Sequence, residues 1–263
     1  MTDTTFSKKL AKGPRDNRFF RNLSGELLYT EDKTSRRILT EYGAIFVARG
    51  GAIPPDRVIF ADEDDVERFQ SRLKTAKRSI GGIEIELQEP AMYALDAAIE
   101  SAADVGLTIS TRGPDSAKRS YRQTEELWAS RVEPALDYWM NQERLTSKDA
   151  AALRSLTAFE QVPIVFDYEE QGIFFAKTLD KPIMYSVAPP GASQHLSMLA
   201  LDVAEFNDIR VREILAENGW FQTVISDLPH FTFLGVSESE LPGLGLKKAV
   251  DDVGRIFWVP DIY

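Results

Sequence analysis

The stretch Ser193-Gln194-His195-Leu196-Ser197-Met198-Leu199-Ala200-Leu201-Asp202, answered downstream by Asp227-Leu228-Pro229-His230-Phe231, decides how this chain is read. The chain has only two histidines, and both lie here. Two histidines and a carboxylate, with a second carboxylate three residues before the later histidine, supply three protein ligands and a general base. That is the donor set of an open catalytic zinc site.

Spacing adds to this. Seven positions separate His195 from Asp202, and in a straight strand an odd separation puts the two on opposite faces. His195 is therefore expected on an approach loop, with Asp202 projecting from a strand over 198–203. A lone carboxylate among Leu199, Ala200, Leu201 and Val203 is costly to bury without a partner, and a divalent cation is such a partner. The plain alternative has Asp202 turning the chain into the next helix and His195 as an ordinary loop histidine. Asp227 precedes an alternating apolar strand begun by His230, close enough to reach a water in a fourth coordination position. There it would take the water's proton and pass it to a leaving amine. Its plain alternative is a turn residue before Pro229.

Composition bounds the rest. At 263 residues and 43% hydrophobic content the chain can fill a sizeable core, as one large domain or a catalytic domain with an extension. A net charge of −10 argues against nucleic-acid or anionic-membrane surfaces, which need clustered Lys and Arg. It suits a cationic metal. There is no cysteine, so a metal must be held by imidazole and carboxylate. The first thirty residues carry Lys8, Lys9, Arg15 and Arg18 and no apolar core of a leader, so neither a signal peptide nor a membrane span is read there.

Outward from the central stretch, residues 1–37 read as polar and loosely ordered, with Phe19, Phe20, Leu23, Leu27 and Leu28 able to dock. Gly43 to Ala48 and Val58 to Phe60 read as short buried strands, and Asp62 as the cap of a helix carrying Val66, Phe69 and Leu73. Alternation at Ile83, Ile85 and Leu87 predicts a half-buried strand. Pro90 opens a helix with Met92, Leu95, Ile99 and Ala102 on one face, stopped at Gly106. A strand over Leu107 to Ile109 and a loop from Thr111 to Asp115 follow. Ser120 caps a helix lined by Trp128, Val132, Leu136 and Trp139, and a further helix is expected over Ser147 to Phe159. Val162 to Phe166 and Gly172 to Phe175 read as strands, Ala188 to Gly191 as loop, and Val211, Ile214 and Leu215 as a helix ending at Asn218-Gly219. The fold class is α+β, with an N-terminal extension over 1–80 covering a catalytic domain over 81–263.

The pattern Ser193-x-His195-x-x-x-x-Ala200-x-Asp202, preceded by Pro190-Gly191 and followed by Asp227-x-x-His230-Phe231, resembles the zinc D-alanyl-D-alanine carboxypeptidase and dipeptidase family, with relatives among phage endolysins and the hedgehog signalling domain. The likeness extends over roughly 85–240. Met198 stands where the family pattern has Gly, Pro229 where it has Trp, and Asp227 where it has Glu. The resemblance implies a small antiparallel sheet with flanking helices around a central zinc ion held by His195, Asp202 and His230, with Asp227 as acid and base. It also implies a substrate-binding arginine between a strand and a helix: Arg119 in Arg119-Ser120-Tyr121, with Arg112 as the alternative register. Ser193 would donate to a bound peptide or order the loop. The implied activity is hydrolysis of peptide bonds in cell-wall stem peptides, foremost as a D-alanyl-D-alanine carboxypeptidase. Alternatives are an endolysin-like endopeptidase and an inactive metal-stabilised binding module. Such a substrate lies in the periplasm or cell wall, which sits uneasily with the absence of a visible leader; oligomeric state is not legible.

Overall fold

The computed structural model describes residues 17–23, 27 and 32–262. The expected docking residue Leu28 and most of the segment 1–31 lie outside the described residues. Within the rest of that segment, α1 (Arg18–Asn22) and α2 (Lys33–Tyr42) are helices, so the stretch read as loosely ordered up to 37 is already regular from Lys33. Asp32 starts α2 by accepting the Ser35 N–H, and Ile38, Leu39 and Tyr42 form its buried stripe.

Gly43 to Val47 forms a 3-10 turn that prolongs α2. This corrects the strand reading. The run is buried at every position, so it offers no alternation to tell strand from helix. Val58 to Phe60 is likewise no strand, although Val58 and Phe60 are buried; Phe60 donates its N–H to Gly191 O at 3.0 Å. Helix α3 (Glu63–Gln70) begins where Asp62 accepts the Asp65 N–H. Strands β1 (Thr75–Ile80) and β2 (Ile83–Gln88) pair antiparallel across Gly81-Gly82, both at positive φ, as a two-residue hairpin turn demands.

Helix α4 (Glu89–Asp104) has Pro90 in its first turn and buries Met92, Leu95 and Ala102 as expected. The strand expected over Leu107 to Ile109 is absent. Leu107 N is taken by Ala102 O, and Ser110, which follows, gives its N–H and hydroxyl to the Glu205 carboxylate and its carbonyl to Ala204 N; only Thr111 bridges to Val203. Helix α5 (Tyr121–Asn141) opens with a reciprocal Ser120/Gln123 capping box.

Where one helix was expected over Ser147 to Phe159 there are two. Thr146, one residue before the expected cap, starts α6 (Ser147–Arg154), and Thr157 with Glu160 starts α7 (Ala158–Glu170). The supposed strand Val162 to Phe166 is inside α7. Its β-branched residues suggested a strand, but Val162, Val165, Phe166 and Glu169 are buried at helical spacing. Gly172 to Phe175 forms no strand: Gly172 belongs to the turn that ends α7, at φ 74°, and the residues after it have no regular structure.

The site sits on a three-stranded antiparallel sheet of order β3 (Ala200–Asp202), β5 (His230–Phe233), β4 (Trp220–Phe221). Helix α8 (Ile209–Glu217), capped by Asp208, connects β3 to β4. Strands β6 (Leu246–Val250) and β7 (Ile256–Pro260) form a final hairpin. The architecture is thus mixed α and β, with small antiparallel sheets among helices. One buried apolar core runs from Phe19, Ile38 and Val47 through Trp128, Leu201 and Phe231 to Trp258. A small second cluster, Phe60, Val66, Phe69, Tyr121 and Leu196, holds the turn that carries His195. No helix among the described residues is long and apolar enough to cross a membrane.

Candidate metal centre

The β3–β5 register sets Asp202 directly opposite His230, and cross-strand partners share a face of the sheet. Ala200 and Thr232 lie on that same face; Leu201, Phe231 and Phe233 point to the other. His195 arrives from a 3-10 turn, Gln194–Ser197, rather than from irregular loop. That turn ends at Met198, which takes a left-handed conformation, φ 57° and ψ 31°, while its side chain is buried. The family pattern's Gly at this position is the residue that conformation ordinarily favours.

The loop Thr111 to Ser120 closes the site from the other side. Arg112 N donates to Asp202 O, Asp202 N to Ser116 O, and Arg119 N to His195 O. The backbones of two of the three candidate ligands are therefore held by one loop.

His195, Asp202 and His230 converge. His195 Nε2 lies 3.3 Å from Asp202 Oδ1, His230 Nδ1 lies 3.4 Å from the same oxygen, and the two ring nitrogens are 3.1 Å apart. The imidazoles meet nearly edge to face, at 80°. Both histidines are almost wholly buried, and Asp202 keeps a little exposure.

Proton positions follow from the acceptors around the rings. Ala117 O, which can only accept, is 2.9 Å from His195 Nδ1, so that nitrogen carries the hydrogen and Nε2 presents a lone pair. On His230, Nε2 lies 2.9 Å from Gln194 Oε1, so Nε2 is the donor and Nδ1 presents its lone pair. Two nitrogen lone pairs and a carboxylate oxygen thus face one another. Asp202 Oδ1 is accordingly buried with no hydrogen-bond partner among the described residues. Such a triangle is repulsive unless a cation occupies it.

Burial pushes the His195 imidazole below its ordinary pKa, with Asp202 opposing and Arg119 assisting, so the ring stays a neutral donor near pH 7. Burial alone would raise the Asp202 carboxyl. In acid the adjoining imidazoles of His195 and His230, once protonated, overcome this and hold it well below the usual carboxylate range, so a proton entering the triangle goes to nitrogen rather than oxygen.

The three edges test the fit to zinc. Tetrahedral zinc with bonds of about 2.0–2.1 Å has ligand–ligand edges of about 3.3–3.4 Å. The two edges to Asp202, 3.3 and 3.4 Å, match this and the edge between the imidazoles, 3.1 Å, is slightly shorter; two imidazoles with one carboxylate, without sulfur, are a donor set that zinc accepts. The cluster is compatible with zinc.

The other residues singled out from sequence are gathered around the same cavity, of about 250 Å³: Arg112, Arg119, Ser193 and Asp227 all line it. Arg119 donates from Nη2 to Asp202 Oδ2 at 3.0 Å and from Nε to Asp115 O, leaving Oδ1 to the triangle. Arg112 stands over the Phe206 ring. Ser193 is buried and precedes the His195 turn without capping it through its side chain. Asp227 is exposed at the rim and joined to His230 by a turn, its carbonyl accepting the His230 N–H at 3.2 Å. Pro229 gives its carbonyl to Val203 N, continuing the ladder beyond Asp202.

Sequence reasoning missed Gln194, the carbonyls of Ala117 and Tyr42, and Arg131 in the cavity wall. Gln194 had a signal, because it adjoins His195. The carbonyls had none.

A His-Asp-His cluster in a concave, arginine-lined cavity is the arrangement found. Comparison with known proteins adds little to it. No family model matches the chain, and no curated protein matches it. Among solved structures it is similar to a vancomycin-resistance D,D-pentapeptidase, VanY, a mutant from a VanB-type resistance cassette in complex with Zn(II). The identity is 14% and the TM-score 0.39, over 74% of this chain and 89% of that chain. A likeness this distant carries neither fold nor function across.

Proposed function

We propose that this protein is a zinc metallopeptidase that hydrolyses peptide bonds in cell-wall stem peptides, foremost as a D-alanyl-D-alanine carboxypeptidase. The observation that carries the reading is the triangle of inward lone pairs on His195 Nε2, His230 Nδ1 and Asp202 Oδ1. Those three residues would hold the ion. When bound, zinc would polarise the scissile carbonyl and lower the pKa of a coordinated water to about 7.

The chain's own residues supply the rest. Asp227, at the rim, takes a proton from the water and delivers it to the leaving amine. Arg119, anchored by Asp115 O and Asp202, stabilises negative charge on the substrate carbonyl as it develops. Three arginines, Arg112, Arg119 and Arg131, line the cavity of a protein whose net charge is −10. Cations gathered there favour a substrate with a free carboxylate, which supports trimming of a chain end over cutting within a cross-link. Ser193, which lines the cavity, would donate to the bound peptide. This substrate assigns the protein to the periplasm or cell wall.

Metal analysis of the mildly purified protein, together with mass spectrometry of digested muropeptides, tests the proposal. Stoichiometric zinc and release of free D-alanine are expected. Absence of zinc binding overturns the metal reading, whereas release of larger fragments replaces the carboxypeptidase with an endopeptidase.

A further inference from the structure

We infer that Gln194 is a positioning residue that fixes which nitrogen of His230 faces the metal, and that the main-chain carbonyl of Tyr42 fixes Gln194. The consequence for metal binding rests on the zinc reading above; the hydrogen-bond argument does not.

The Gln194 side chain is buried, and its two ends have different surroundings. One end lies 2.9 Å from Tyr42 O. A peptide carbonyl only accepts, so this end is the NH2 group, and the opposite end is an oxygen. Two groups on one face of β5 converge on that oxygen: His230 Nε2 at 2.9 Å and the hydroxyl of Thr232, two residues along the strand. Thr232 Oγ1 is itself 2.6 Å from Thr223 Oγ1.

An acceptor opposite His230 Nε2 requires the hydrogen to be on Nε2. The competing tautomer has a definite attraction, because an Nδ1–H would point at Asp202 Oδ1, 3.4 Å away, and satisfy that orphaned oxygen. It would also use up the lone pair that a metal needs. In that tautomer, however, the Nε2 lone pair would face Gln194 Oε1 in a buried site, with no donor between them. Gln194 therefore excludes the tautomer that closes the site. His195 is set in the opposite sense by Ala117 O, with its hydrogen on Nδ1. The two rings carry their protons on different nitrogens because they turn different nitrogens inward, and each inward nitrogen is left unprotonated, as binding of one ion requires.

Because the chain has only two histidines, imidazole nitrogen–proton correlation spectra of the full-length, nitrogen-15-labelled, chelator-treated protein read both rings directly. In mildly alkaline buffer, where imidazole is neutral, we expect His230 protonated at Nε2 and His195 at Nδ1, the two rings being assigned by which one responds to Gln194 substitution. A His230 ring protonated at Nδ1 overturns the inference. Gln194→Leu is expected to move His230 toward the Nδ1–H form and to weaken zinc binding by about 10–100-fold in competition with a chromophoric chelator. Gln194→Glu keeps an acceptor for Nε2 but sets an oxygen against Tyr42 O. It is expected to keep the tautomer and to lower the melting temperature. A folded Gln194→Leu protein with the wild-type tautomer and zinc affinity overturns the inference; if that variant does not fold, the wild-type spectrum and Gln194→Glu decide. A wild-type protein that shows two different tautomers yet binds no zinc would sink the metallopeptidase reading and leave the hydrogen-bond assignment intact.

Discussion

Asp227 differs from the three converging residues in having no part in their geometry. It stands at the cavity rim, tied to His230 only through a backbone turn. Replacing it should therefore separate chemistry from coordination. Asp227→Asn is expected to lower kcat on a D-alanyl-D-alanine peptide by about 10²–10⁴-fold while zinc content stays stoichiometric. Unchanged turnover would remove Asp227 from the mechanism; lost zinc would make it a ligand. Arg119 was marked only by the family resemblance, but Asp227, with His195, Asp202 and His230, was legible as a candidate because each is chemically conspicuous: the only two histidines, and carboxylates set against apolar runs. What orients them was not. The Ala117 carbonyl lies 78 positions from His195, and every residue has a carbonyl, so nothing in the sequence marks this one. Seven-residue spacing did predict that His195 and Asp202 belong to different local structures, which a 3-10 turn followed by a strand satisfies.

Among elements, those with a chemical start signal were read well and short apolar runs were not. Asp62 and Ser120 cap the helices expected of them, and the alternation at Ile83, Ile85 and Leu87 gives a strand. By contrast, Gly43 to Val47 is buried throughout, and Val162 to Phe166 is too short and apolar for its helical period to be read from sequence. The Thr157/Glu160 box was the available clue to α7. The loop entering the site imposes a stricter demand. Gly191 has φ 78°, and a Cβ there would lie 1.9 Å from Phe60 O, a backbone atom that cannot swing away. Gly191→Ala should cost at least about 2–3 kcal/mol, from left-handed strain and displacement of the 58–60 segment. Differential scanning calorimetry should show a clear drop in Tm, and an unaltered Tm would mean that this approach relaxes freely.

At the scale of the whole molecule, residues before and after position 80 share one core. Phe19, Ile38 and Val47 belong to the same buried cluster as Leu201 and Phe231, and β1 pairs with β2 across the boundary. A chain beginning at residue 81 is accordingly expected to lack cooperative unfolding by circular dichroism; a truncated chain that melts cooperatively would make the first 80 residues a removable cover. A buried charge network also sets the pH response. Burial pushes the Glu41 carboxyl up to about 7, with Arg37 opposing and Glu169 adding to the rise. The ordinary value for this group is 4.5. Between these values the folded protein holds a proton that the unfolded chain releases, so stability falls as pH rises through the window and levels off above it. Glu41→Gln should flatten that slope and stabilise the protein in mildly alkaline buffer by about 1–2 kcal/mol, discounted for the part of the side chain that water still reaches. Urea midpoints at both ends of the window would check this, and an equal slope in the variant would assign the effect elsewhere.

The Tyr42 carbonyl has one more consequence. A main-chain group survives any substitution of the side chain it belongs to, while the Tyr42 ring lines the cavity and its hydroxyl reaches Met184 O. Position 42 therefore joins a main-chain anchor that substitution leaves in place to a buried side chain that forms part of the cavity wall. Ligand preference can be tuned there, by evolution or by mutagenesis, with side chains that still fill that buried wall, while the carbonyl that orients the imidazole two hydrogen bonds away is retained.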